Sequence, residues 1–246
     1  MAITKTIPDT IYAANSFCPG CGHGIVIRLI AEVLDEMGLS DRTIGVLAVG
    51  CSCLVNRSLA VDLMQSAHGR AAAAAAGIKR TRPQNLVFTY QGDGDAVSIG
   101  MSETLYSAQR NEKFTQIIVN NGVFGMTGGQ MSPTTLVGQR TATSEKGRSV
   151  ELNGNPVNIM SLLGQFNTAY LARGSVHDAA NILKTKEYIR TAFQKQMRGE
   201  GFTCVEVISP CPTNWHMTPS QAVERIAGEV LEVYPLGEFV KGGSEK

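Results

Sequence analysis

Two turn-like segments and four of the six cysteines carry the recognisable chemistry of this sequence. Gly92-Asp93-Gly94-Asp95 follows the apolar run NLVFTYQ, and Asn120-Asn121-Gly122 follows TQIIV. A carboxylate, an amide oxygen and a backbone carbonyl are hard oxygen donors. Such a set suits Mg²⁺ with phosphate oxygens in its remaining positions. Gly92 and Gly94 let the backbone approach a phosphate, and a helix start near Ala96 favours negative charge. Either half alone also describes a common turn. Their pairing behind two apolar strands favours one shared site.

Cys18-Pro-Gly-Cys21 presents two thiols in a Gly/Pro turn, an arrangement suited to two bonds to one metal centre. Cys51 and Cys211 each follow an apolar run and can complete four thiolates, which implies Zn²⁺ or an iron–sulfur cluster. A CxxC redox pair fits the same spacing. Cys53 competes with Cys51, whereas Cys204 lies inside a strand and reads as a core thiol. His23 reads as a donor to the cysteine centre or as structural, Trp215 and His216 as packing residues, and Thr127 to Gln130 as a phosphate or carboxylate contact or as a Gly-rich turn.

The elements that must position these groups alternate. Helical periodicity covers 24–37, 68–78, 97–109, 156–166, 178–197 and 219–233; short apolar runs at 43–49, 85–90, 115–119, 168–172 and 202–208 predict strands. Strands separated by helices imply an α/β fold, a doubly wound and mostly parallel sheet. All parallel strands end at one edge, where ligands bind, so Cys51, Asp93, Asn121 and Cys211 are expected together there. Residues 122–156 lack periodicity and predict a long functional or partner-covered loop. No linker divides the chain, so 1–246 is expected to form one domain.

Composition excludes several classes. With 22 Lys+Arg against 21 Asp+Glu the net charge is +1, which provides no footprint for nucleic acid or an anionic membrane surface. No apolar run is long enough to span a bilayer. Met1 to Tyr12 carries Lys5 but no apolar stretch of a secretory leader, so a cytoplasmic protein is expected. Only 17% of residues are charged, and 26 are glycine; this is consistent with a surface partly covered by other subunits.

The spaced GDG and NN pair resembles the thiamine diphosphate motif, which implies Mg²⁺ held by Asp93, Asn121 and the Val123 carbonyl. FCPGCGHG, GCS at Cys51, HGR at His68 to Arg70, GDGD, NNGVFGMTGGQMSPTT and SPCPTNW together resemble the β subunit of the 2-oxoacid:ferredoxin oxidoreductases, over about 17–215. That resemblance implies a thiamine diphosphate-binding fold with an N-terminal cysteine-bearing iron–sulfur segment, and a [4Fe–4S] cluster on Cys18, Cys21, Cys51 and Cys211. It implies cofactor contacts from Cys51, Ser52, His68, Gly92, Asp93, Gly94, Asp95, Asn121, Val123, Gly125, Met126 and Thr127, and catalytic roles for His68, Arg70 and Met126. The implied reaction is CoA-dependent oxidative decarboxylation of a 2-oxoacid to acyl-CoA and CO₂, with electrons passing to ferredoxin. The implied partners are an α subunit supplying the activating Glu, a γ subunit, and a ferredoxin-like subunit or external ferredoxin. Leu54 and Met126 are apolar where the family's loops approach the reacting carbon. They favour 2-oxoisovalerate, with 2-oxoglutarate and pyruvate as alternatives. A non-redox thiamine enzyme with structural zinc and a non-catalytic metal-binding scaffold are the competing classes.

Overall fold

The computed structural model describes residues 6–241. The stretch Met1–Lys5, part of the segment read for a leader, and residues 242–246 lie outside the described residues. In chain order come α1 (His23–Met37), β1 (Thr43–Leu47), β2 (Asp62–Gln65), α2 (Ala71–Thr81), β3 (Leu86–Gly92), α3 (Met101–Gln109) and β4 (Thr115–Asn120). A two-stranded hairpin, β5 (Val123–Phe124) and β6 (Gln130–Met131), and short α4 (Val150–Asn153) and α5 (Ile159–Leu163) follow. The chain continues with β7 (Tyr170–Ser175), α6 (Ala179–Met197), β8 (Thr203–Ile208), α7 (Pro212–Trp215), α8 (Pro219–Arg225), α9 (Leu231–Val233) and β9 (Gly237–Val240).

Among the described residues the main sheet runs β2-β1-β3-β4-β8-β7-β9, parallel throughout except for β9, which pairs antiparallel with β7. The strands β4, β7 and β8 are buried at every position, so they lack the alternation of a half-exposed sheet, and their few polar side chains are buried with them. Val26, Ile30, Val33 and Leu34 of α1 and Ile189 and Phe193 of α6 pack one face. Ala71, Ala72 and Ala75 of α2, Ala108 of α3 and Ile159 and Leu163 of α5 pack the other. This is the doubly wound arrangement that the alternation predicts. Capping follows the sequence too. Gly38 takes the left-handed conformation at φ 62° after α1, and the Asp178 carboxylate accepts from Asn181 N at 2.8 Å to start α6.

The departures have physical causes. The helix expected from 68 begins at Ala71, because His68 and Gly69 are held in a turn by the Asp95 carboxylate, to which Gly69 N donates at 2.7 Å. The helix expected over 97–109 is entered through a π-turn at Asp95–Ile99, and that over 219–233 is interrupted by another at Ile226–Val230. The strand expected over 43–49 ends at Leu47, and the chain turns at Gly50 into a 3₁₀ helix, Cys51–Arg57. The strand at 168–172 is shifted to Tyr170–Ser175 by its register against β8. Edge strands β2 and β9 are half-exposed and too polar to announce themselves.

The segment 122–156 is ordered by one side chain rather than by periodicity. Arg148, 4% exposed, donates to the carbonyls of Ser132, Pro133, Thr135, Asn153, Gly154 and Asn155 at 2.8 to 3.2 Å.

Candidate active site

Gly92 pairs with Val119, and Asn120 with Ile208, so Asp93 and Asn121 leave adjacent strands at one level, with Ser209-Pro210-Cys211 just beyond. A cleft partly open to solvent sits on this edge. Gly92 to Asp95, Asn121 and Val123 to Thr127 line it, with Val49 to Ser52, His68 and His23. Gly122 makes the NNG turn possible, with φ 69°. Gly94 admits a close approach: a Cβ there would sit 2.5 Å from the Phe124 ring.

Asp93 is 1% exposed. Its Oδ2 accepts from Ser132 Oγ at 2.6 Å and from Thr134 Oγ1. Burial pushes its carboxyl up to about 6, against the opposing pull of those two hydroxyls. Neutral donors leave its charge under-compensated, a condition that a divalent cation relieves. The amide Oδ1 of Asn121 accepts from Val123 N at 3.1 Å, and Trp215 Nε1 donates to the Asn121 carbonyl at 3.0 Å. Carboxylate, amide and turn carbonyls together fit a Mg²⁺–diphosphate group.

His68 is oriented from behind. Asp95 accepts from His68 Nδ1, from Gly69 N and from Gln91 Nε2 at 2.7 Å, and Phe124 meets the imidazole edge-on at 6.2 Å. With the proton on Nδ1, Nε2 is the nitrogen left to act as an acceptor. His23 Nδ1 and the Tyr90 hydroxyl lie 2.7 Å apart, and Phe17 stacks on the ring at 4.9 Å. Burial lowers His23 to about 4, so it is neutral at pH 7.

The cysteines arrive from three separate segments. Cys21 N donates to the Cys18 carbonyl at 3.1 Å, and Gly22 N to the Pro210 carbonyl at 3.4 Å, which ties the CxxC turn to the chain beside Cys211. Asn214 Nδ2 lies 3.3 Å from Cys211 Sγ and donates to the Gly125 carbonyl at 3.1 Å. A Cβ on Gly125 would lie 3.3 Å from Cys51 Sγ, so the cysteine region borders the cleft. Burial, with smaller contributions from the neighbouring Cys211 and Cys18 thiols, pushes Cys21 up to about 12 and Cys51 up to about 11. Among the described residues no three His, Cys, Asp or Glu side chains are arranged to hold a single metal ion. Cys204 is fully buried in β8.

Residues 48–207 match the family of the thiamine pyrophosphate enzymes, C-terminal TPP binding domain. The chain is 34% identical to the 2-oxoglutarate synthase subunit KorB of Archaeoglobus fulgidus, over 85% of this chain and 74% of that protein. It is 40% identical to the ketoisovalerate oxidoreductase subunit VorA of Methanothermobacter marburgensis, over 94% of this chain and 49% of VorA. The chain thus spans about half the length of the VorA proteins it matches. A 2-oxoglutarate:ferredoxin oxidoreductase from Magnetococcus marinus, solved with 2-oxoglutarate, coenzyme A and succinyl-CoA bound, superposes with a TM-score of 0.79 at 25% identity. The superposition covers 98% of this chain and 87% of that one. The chain belongs to the thiamine pyrophosphate enzymes, among the 2-oxoacid:ferredoxin oxidoreductase subunits.

On this family's fold the cleft collects Cys51, Ser52, His68, Gly92 to Asp95, Asn121, Val123, Gly125, Met126 and Thr127 from the expected set. It does not collect Arg70, whose guanidinium is half-exposed and pairs with Glu103 at 2.6 Å, nor Leu54, which lies in the 3₁₀ turn off the lining. Both carboxylate oxygens of Asp95 are engaged internally, which makes it a brace for His68. Sequence reasoning missed Ser132 and Thr134 as partners of Asp93 and Asn214 as a partner of Cys211. Trp215, read as packing, also holds the Asn121 carbonyl. The signal for the first two was the SPTT run in the same motif block as TGGQ.

Proposed function

We propose that this chain is the cofactor-bearing β subunit of a 2-oxoacid:ferredoxin oxidoreductase. The net reaction is 2-oxoacid + CoA + 2 oxidised ferredoxin → acyl-CoA + CO₂ + 2 reduced ferredoxin + H⁺, with 2-oxoisovalerate as the favoured substrate. The observation that carries the reading is the buried, under-compensated Asp93 beside Asn121, in a cleft bordered by the Cys51 thiol.

Asp93, Asn121 and the Val123 carbonyl would hold Mg²⁺ and through it the diphosphate; Cys18, Cys21, Cys51 and Cys211 would hold a [4Fe–4S] cluster in an N-terminal iron–sulfur segment integrated into one domain over 1–246. Bound thiamine diphosphate supplies a nucleophilic carbon that stores the electrons of decarboxylation, and the cluster supplies one-electron transfer. His68, braced by Asp95, offers its Nε2 to a proton or polar group in the cleft. Met126 and Val49 present apolar surface at its mouth and exclude water from it. The thiamine-activating Glu comes from an α subunit, and a γ subunit and a ferredoxin-like partner complete the assembly. We place the assembly in the cytoplasm; no helix among the described residues is long and apolar enough to cross a membrane.

The test is anaerobic purification with the partner subunits, iron and thiamine analysis, and a 2-oxoacid panel followed by viologen dye reduction. CoA-dependent dye reduction together with bound iron supports the proposal. Zinc in place of iron, or decarboxylation without dye reduction, overturns it.

A further inference from the structure

The strongest feature outside the cleft is a charge pair sealed in the middle of the sheet. Arg173 on β7 and Glu206 on β8 are both fully buried, with Arg173 Nε donating to Glu206 Oε2 at 2.7 Å. Such a pair is weak as a source of stability, because desolvating two charges offsets most of their attraction. Its position is informative. Glu206 Oε1 accepts from Asn120 Nδ2 at 2.7 Å, and Asn120 Oδ1 accepts from Gly122 N at 3.1 Å, which ties the carboxylate to the NNG turn that carries Asn121. On its other side Arg173 lies 5.2 Å from the centre of the Tyr234 ring. The Tyr234 hydroxyl donates to the Thr134 carbonyl at 2.9 Å, and the Thr134 side chain donates to Asp93. Arg173 also donates to Asn158 Oδ1 at 2.7 Å and to the Pro235 carbonyl at 3.1 Å, so three separate segments converge on it.

We infer that Glu206 and Arg173 are positioning residues of the cation site, setting the Asn121 turn through Asn120 and the Asp93 carboxylate through Tyr234 and Thr134. Neither touches the cleft, and each acts through groups that line or support it. The inference rests on the Asp93–Asn121 pair being the Mg²⁺–diphosphate site.

The test replaces the pair with apolar side chains of similar size, Arg173→Met with Glu206→Leu, in the full chain with its partner subunits. Binding of thiamine diphosphate with Mg²⁺ is measured by equilibrium dialysis and the melting temperature separately. A pair that served only packing would leave the dissociation constant unchanged. The expected result is a folded complex, shown by a cooperative melting transition, whose dissociation constant for the cofactor is raised tenfold or more. The sole tryptophan, Trp215, donates to the Asn121 carbonyl, so its emission in the isolated full chain is also expected to shift.

If the double variant does not fold, Asn120→Ala and Tyr234→Phe decide, the first expected to weaken binding about tenfold and the second about threefold. Parental affinity in the double variant, or in both single variants, overturns the inference. Asp93→Ala is run beside them. If it keeps cofactor affinity, the site assignment itself fails, whereas lost affinity there with none lost in the others overturns only the positioning role.

Discussion

At pH 7 the Asp93 carboxylate is ionised although almost wholly buried, with two hydroxyls as its closest side-chain partners. Its folded value of about 6 lies above the roughly 3.9 of an unfolded chain. The folded state therefore holds the proton more tightly, and stability falls as pH rises through about 4 to 6. A gap of that size is worth about 3 kcal/mol. In Asp93→Asn the cofactor-free chain should melt several degrees higher at pH 7.5, and this slope should vanish from a pH series of thermal scans. Mg²⁺ with thiamine diphosphate should no longer raise the melting temperature; an undiminished rise would remove Asp93 from the site. The cysteines permit a parallel measurement. Cys51→Ser should lower bound iron and Cys204→Ser should not, because Cys204 lies in the core. Iron lost in Cys53→Ser and retained in Cys51→Ser would exchange their assignments.

At the scale of elements, what the sequence disclosed follows from which interactions are local. The helix 178–197 was legible because its cap and its apolar spacing both lie within the segment. Asp178, held below the usual carboxylate range mainly by the Asn181 amide, caps it. A lowered value means that this stabilisation is present above about pH 4 and disappears as pH falls through the folded value. Asp178→Ala should cost about 1 kcal/mol in denaturant titration at pH 7, and the difference from the parent should shrink in acid as the carboxylate is protonated. The parallel edge was equally legible, since placing Asp93 and Asn121 together needs only strand direction. The interior of 122–156 was not. Its order comes from Arg148 reaching carbonyls on both sides of it, a non-local arrangement with no period. Ser132 and Thr134 were hidden with it, and Arg70 was misplaced because a motif reports order along the chain rather than the direction of a side chain. Arg148→Ala should strip several buried carbonyls of their donor, at roughly 1–3 kcal/mol per unsatisfied group. A loss of several kcal/mol in denaturant titration, together with weakened cofactor binding, is the expected pair of outcomes.

The whole molecule presents apolar surface at its cleft, where Val49 and Met126 are each at least about a third exposed, in a chain of only 17% charged residues. Such a rim suits a covering subunit, and the chain alone is expected to turn over no 2-oxoacid. The same surface bears on substrate choice. Among the described residues no lysine or arginine lines the cleft, and Arg70 is paired with Glu103 away from it. A second carboxylate, as in 2-oxoglutarate, would lose its hydration there without a cationic partner from this chain. A branched aliphatic side chain incurs no such cost, and each methylene placed against Met126, Val49 or Phe124 contributes about 0.8 kcal/mol. Transfer alone makes that about fourfold per methylene, and in a fitted pocket the whole difference reaches roughly 1–3 kcal/mol, or 10- to 200-fold. In the assembled complex, kcat/KM should therefore favour 2-oxoisovalerate over 2-oxoglutarate by at least tenfold. Met126→Lys, which supplies a cation at the mouth, should narrow that ratio by raising the 2-oxoglutarate value as well as lowering the other. Steady-state dye-reduction assays on both substrates measure it. If the parental complex prefers 2-oxoglutarate, the group that binds the acid belongs to a partner subunit, and the apolar rim of this chain does not set the choice.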